Sequence, residues 1–265
     1  MEYKGKRYTE KPDIVIRQLL RRYAEQYETT AFLDGDPSWF MHQVSGHKNQ
    51  EAMAFIASCL SYGSRKQFMA KIQIILDWSE GNVDEWVRTG HFGKHFLDGD
   101  ENCFYRLYTC NTMHRFLHAY QQLLKEYGTL GEYVHQNATD GFSAVGSICH
   151  YFSSRDISVI IPKDTQSACK RVCMFLRWMV RGESPVDLGL WADFIDRRTL
   201  IIPLDTHVLH QSVRLGLLDS KTASMSSARH LTTVLAEVFP DDPLKGDFAL
   251  FGYGVNASQI SEKML

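Results

Sequence analysis

Strand pattern is nearly absent from this chain, and that absence limits what it can fold into more than any other feature. Apolar residues recur at helical spacing from one end to the other, at i, i+3, i+4 and i+7. Residues 12–28 put Ile14, Ile16, Leu19, Leu20 and Tyr23 mostly on one face, after the start signals Pro12 and Asp13. Asp36-Pro37 opens a short helix. Residues 49–62 carry Ala52, Met53, Phe55, Ile56, Cys59 and Leu60 as a broad apolar stripe. Gly63 ends that helix, and Ser64 caps the next, with Phe68, Ile72, Ile75 and Leu76 inward. Further helices are expected near 102–109, 111–126, 140–151, 168–181, 205–215, 225–238 and 246–252. Only Ile157-Ser158-Val159-Ile160-Ile161 reads as a strand, and Pro162 stops it. So few β signals point to an all-α fold.

A chain of 265 residues can bury a sizeable core, as one large domain or two lobes. The expected division is a middle helical lobe, about 50–165, beside a second lobe made of about 11–49 plus 166–265. Hydrophobic content of 44% and charged content of 23% fit a soluble globular protein, expected to be a monomer. No apolar run approaches a membrane span, and the first eight residues lack the apolar core of a secretory signal. A cytoplasmic protein is the expectation.

Six cysteines occur, none at C-x-x-C spacing, so zinc and iron–sulfur motifs are not supported and no cofactor is expected. Cys59, Cys169 and Cys173 lie in apolar helical patterns and read as reduced core residues. His91 and His95 are four apart, as are His114 and His118, but neither pair has a third ligand nearby, so no metal site is expected. Asp98-Gly99-Asp100-Glu101 lacks the ligand alternation of a calcium loop and reads as a solvated turn.

A net charge of −2 argues against a general nucleic-acid coat. The charge is uneven, however. Arg65, Lys66 and Lys71 cluster after a glycine, and Lys163, Lys170, Arg171, Arg177 and Arg181 form a second basic group. Residues 1–11 read as a mobile terminus, with a basic DNA-binding arm as the alternative.

The chemistry concentrates between Lys170 and Asp205. Lys170 and Arg171 sit in the first turn of an apolar helix, where the helix dipole already places partial positive charge. That placement should lower the lysine's pKa and make it a better nucleophile. Asp205 follows Pro203-Leu204 and precedes an apolar-periodic run, so it reads as an N-cap carboxylate. On residues alone, Lys170 reads first as an ordinary solvated lysine on an amphipathic helix. Trp178, Met174 and Met179 read first as core.

Several segments together resemble a known family. Residues 51–65, Glu51-Ala52-Met53-Ala54-Phe55 through Tyr62-Gly63-Ser64-Arg65, resemble the early helix and turn of endonuclease III-type DNA glycosylases. Lys170 with its helix, then Ile202-Pro203-Leu204-Asp205-Thr206-His207-Val208, resembles their lysine helix and aspartate motif. Asp247-Phe248-Ala249-Leu250-Phe251-Gly252 resembles the late helix packed behind it. The chain is similar to an uncharacterised bacterial family within the helix-hairpin-helix-GPD superfamily, and its lysine-to-aspartate spacing resembles the archaeal 8-oxoguanine glycosylase branch. One departure stands out. Those relatives carry a glycine-rich hairpin before the lysine, whereas residues 162–170 here contain no glycine, so close backbone approach to a phosphate is harder.

The resemblance implies a two-lobed helical fold with a cleft between lobes, and damaged duplex DNA, possessing an oxidised purine, as partner. It implies Lys170 as the nucleophile that forms a Schiff base at C1′, and Asp205 as the carboxylate that stabilises oxocarbenium-like charge. Arg171, Lys163, Thr165, Ser167, Arg65 and Lys66 become nucleic-acid contacts. Tyr62, His207, Trp178 and Phe251 become pocket candidates. The alternatives are a non-catalytic DNA- or RNA-binding protein on the same scaffold and a helical enzyme acting on a small nucleoside or nucleotide.

Overall fold

Ten consecutive residues, Glu51 to Leu60, are buried in one helix, and the fold is laid around it. A helix that is apolar on every side belongs at the centre of a protein. The structure is a computed structural model that describes residues 12–263, with side chains described through residue 255. Residues 1–11, expected as a mobile terminus with a basic arm as the alternative, lie outside the described residues.

The described residues form eleven α-helices and one short hairpin, so the fold is all-α. The first six helices are α1 (Ile14–Tyr27), α2 (His47–Leu60), α3 (Arg65–Trp78), α4 (Val83–Arg88), α5 (Cys110–Tyr127) and α6 (Leu130–Asn137). The remaining five are α7 (Gly141–Phe152), α8 (Lys170–Val180), α9 (Thr206–Arg214), α10 (Met225–Ala236) and α11 (Lys245–Lys263). Side-chain caps fix many of the starts. Asp13, Thr109, Thr129, Asp205 and Ser224 each accept a backbone N–H from the first turn of the helix they precede, and Asp140 with Ser143 completes a capping box.

The central α2 packs against α8, which buries every residue from Val172 to Val180. The two ends of the described chain also meet, since α1 lies along α11 and α11 lies against α9. One continuous core runs from Leu20 of α1 through α2, α5, α7 and α8 to Leu250 of α11. No helix of the described residues is long and apolar enough to cross a membrane.

Two local expectations are corrected. Residues 157–161 form turns, not a strand: Ile160 and Ile161 N–H groups both donate to the Ile157 carbonyl, at 2.8 and 3.1 Å. The three buried isoleucines are 157, 160 and 161, which is turn spacing rather than strand alternation. Residues 102–109, expected as helix, instead hold the hairpin β1 (Cys103–Tyr105) and β2 (Tyr108–Thr109). Its aromatic residues favour pleated backbone, and Arg106 takes the positive φ of 51° that the tight turn requires. Short α4 and α6 were not anticipated, and α11 extends well beyond the expected 246–252.

Candidate functional site

The lysine helix begins abruptly. Residues 153–169 run through turns and bends, and Cys169 ends them in the left-handed region at φ 46° with no side-chain cap on the helix it opens. Lys170 is therefore the first residue of α8, at the positive end of the helix dipole. Asp205 stands at the start of α9 as its N-cap, immediately before Thr206. Its Oδ1 accepts the Val208 N–H at 2.9 Å, which fixes the carboxylate at the helix start.

These two helix starts open on one cavity of about 560 Å³, lined by both Lys170 and Asp205. A cavity of that size matches the ordinary range for small-molecule and base-sized ligands. Asp36 and Phe32 close one side, from the segment before α2. Asp247 and Phe251 close another, from α11, and Met174 and Arg177 continue the wall along α8. Lys170, Met174 and Arg177 follow one another along one stripe of α8, and Arg181, the residue just after the helix, continues it at the same spacing.

The lysine is electrostatically exposed to this wall. Burial lowers its pKa, Asp205, Asp36 and Asp247 pull it back up, and Arg171 adds to the lowering. Lys170 is half-buried and lines the cavity. Among the described residues its Nζ makes no hydrogen bond or ion pair. A lysine with a lowered pKa and a free amine, beside a fixed carboxylate, has the makings of a nucleophile.

Behind Lys170 the other two cations of the stripe are fully committed. Arg177 pairs with Asp187 at 3.2 Å and with Asp247. Arg181 pairs with Asp242 at 2.7 Å, with Glu28 at 2.6 Å and with Asp187. Burial pushes the Asp247 carboxyl up while Arg177 pulls it down, so this carboxylate joins the buried network to the cavity.

The sequence-derived site residues divide sharply. Lys170, Asp205, His207, Phe251 and Arg65 all line the cavity. Arg65 is exposed at its rim, with its guanidinium 5.9 Å from the Phe251 ring centre. His207 is exposed and tightly backed, because a Cβ on Gly254 would come within 2.3 Å of its Nε2. Trp178 does not line the cavity: it is fully buried, and its indole Nε1 has no partner. Tyr62 stands aside too, half-buried between Tyr105 and Tyr108.

Arg171 is spent inside the protein. It donates to the Tyr108 hydroxyl, to the Cys59 carbonyl at 3.3 Å and to the Val159 carbonyl at 3.1 Å. Lys163, Ser167 and Lys66 are exposed and Thr165 is half-buried, all outside the cavity lining. Of the histidine pairs, His95 stacks on Trp78 at 4.0 Å and His114 bonds the Phe96 carbonyl at 2.8 Å.

Sequence reasoning missed Asp36, Arg177 and Asp247 as site residues. Asp36 was visible as a helix-start carboxylate, held by Ser38 N at 3.0 Å and Ser38 Oγ at 2.6 Å. Arg177 was visible as a cation one helical repeat below Lys170 on an otherwise apolar helix. Nothing local in the sequence places Asp247 beside them.

No curated protein and no solved structure matches the chain. A family model does match, and the matched span, residues 36–256, takes in every cavity-lining residue named above except Phe32. The chain belongs to that family, described as a protein of unknown function, DUF2400.

Proposed function

We propose that this protein is a DNA base-excision glycosylase with lyase activity, acting on a damaged base of the oxidised-purine class. The observation that carries the reading is Lys170: an unpaired amine of lowered pKa, in one cavity with the fixed carboxylate of Asp205. On this reading a flipped nucleotide enters the cavity and its base is buried against Phe251 and Phe32. As the glycosidic bond breaks, positive charge grows on the sugar, and Asp205 stabilises it. The Lys170 amine attacks C1′, the ring opens to a Schiff base, and loss of a C2′ proton then expels the 3′ phosphate. The helices divide on this reading into lobes of about 50–165 and of about 11–49 plus 166–265. Arg65 reaches the cavity from the first lobe, and the remaining lining comes from the second.

Borohydride trapping tests this directly. Wild type incubated with a duplex carrying an abasic site or 8-oxoguanine should give a covalent complex, and Lys170→Gln should give none. Absence of a complex on every duplex, from a protein shown to be folded, would sink the glycosylase reading.

Arg171 favours a second reading. Because its guanidinium is consumed by Tyr108, Cys59 and Val159, the lysine helix offers one phosphate contact fewer. An enzyme acting on a free nucleoside or nucleotide needs fewer such contacts. Salt separates the two, since duplex binding weakens steeply between 50 and 200 mM salt and small-molecule binding does not.

A further inference from the structure

Cys149 and Cys169 are 20 residues apart in sequence, yet their sulfurs lie 3.9 Å apart where α7 meets the start of α8. Both side chains are buried. A disulfide needs its sulfurs at about 2.05 Å, so closure asks for a shift of roughly 2 Å. Cys169 is placed to make that shift. It is not part of α8, it ends a long irregular segment, and it sits at φ 46°, a conformation that costs a non-glycine residue energy. Leaving that conformation relieves strain rather than adding it.

The two thiols are also chemically unequal. The contact between the two sulfurs, together with Ser167, holds the Cys169 thiol below its usual range, while the same contact and burial raise Cys149. The Cys169 sulfur also lies 3.4 Å from the Asp164 and Ser167 carbonyls, which accept its proton while it is a thiol. One thiol is thus disposed to react as thiolate and its neighbour to resolve the product. A third thiol, Cys173, lies one turn further along α8, with burial holding its proton on and its S–H directed to the Ala168 carbonyl at 3.6 Å.

We propose that Cys149 and Cys169 form a thiol pair that a hydroperoxide converts into a reversible disulfide at the start of the lysine helix. The Cys169 thiolate attacks the peroxide oxygen, the O–O bond breaks, and hydroxide leaves, giving a sulfenic acid on Cys169. The Cys149 thiol then attacks that sulfur and water leaves. Two thiols lose two electrons and two protons, and hydrogen peroxide becomes two waters. The bond ties the last turn of α7 to the residue immediately before Lys170, and it closes the loop that carries Lys163, Thr165 and Ser167. The pairing holds whether or not Lys170 is a nucleophile.

The test is disulfide mapping of the full-length native chain. Protein treated with hydrogen peroxide is alkylated to block its remaining thiols, digested, and analysed by mass spectrometry. A linked Cys149–Cys169 peptide should dominate and should disappear after dithiothreitol. It should persist in Cys173→Ser and be absent in Cys149→Ser. The proposal is overturned by any of three results: a Cys169–Cys173 link in its place, dimers joined only through exposed Cys103, or no native reaction where the denatured chain oxidises readily. If Cys149→Ser does not fold, the wild-type map decides alone.

Discussion

Asp205 performs two tasks that one substitution can separate. It caps α9 through the Val208 N–H, and it faces Lys170 across the cavity. Asparagine caps as well as aspartate, whereas alanine loses about 1 kcal/mol of cap. Asp205→Asn should therefore unfold close to wild type in urea yet lose trapping on the 8-oxoguanine duplex, while Asp205→Ala loses both. Retained trapping in Asp205→Asn would leave the residue as a cap alone. Lys170 makes a prediction in pH. Burial holds its pKa below the usual value, so the reactive amine appears as pH rises through that lowered value. Asp36 opposes the lowering by favouring the ammonium. Asp36→Asn should move the midpoint of the trapping–pH curve further down. An upward move would mean that Asp36 acts on the substrate and not on the lysine.

At the scale of elements, helix starts were legible: Asp13, Ser64 and Asp205 each stand immediately before the helix they were expected to open, although Ser64 accepts no N–H with its side chain. The hairpin at 103–109 was not, because Phe104, Tyr105 and Tyr108 satisfy a helical and a pleated pattern equally over so short a run. The cavity was half legible. Lys170 and Asp205 lie near each other in sequence, but Asp36 and Asp247 arrive from elements at opposite ends of the described chain, and no local pattern encodes that meeting. The element that brings Asp247 in has a specific weakness. A Cβ on Gly252 of α11 would come within 2.3 Å of the Tyr27 ring of α1. Gly252→Ala should cost about 1–3 kcal/mol through overpacking, more than the ~1 kcal/mol that alanine contributes to a helix. Chemical denaturation would measure this, and net stabilisation would show that the ring yields and that α1 and α11 are not clamped at this point.

For the whole molecule, one group that couples stability to pH is Glu51, buried in the second turn of α2. Its carboxylate accepts the Leu130 and Gly131 N–H groups at the start of α6, at 2.8 and 3.1 Å, and the Trp191 indole at 3.1 Å. Burial nonetheless raises its pKa from 4.5 to about 7. The folded protein thus holds this proton more tightly than the unfolded chain. The contribution is most favourable below pH 4.5 and is lost as pH rises to about 7, a change of about 3 kcal/mol. Relative to Glu51→Gln, wild type should lose stability across that window, and a gap that stays constant with pH would contradict this. The contact between α1 and α11 carries a consequence for synthesis. The apolar face of α1 leaves the ribosome well before its partner, which follows more than two hundred residues later. At the usual 5–20 residues per second that is a wait of roughly 10–40 seconds. Over that interval α1 has no mate, and the wall carrying Asp247 and Phe251 does not exist. The cavity can therefore form only once α11 has been made, so no nascent fragment that stops short of Asp247 and Phe251 carries a complete site.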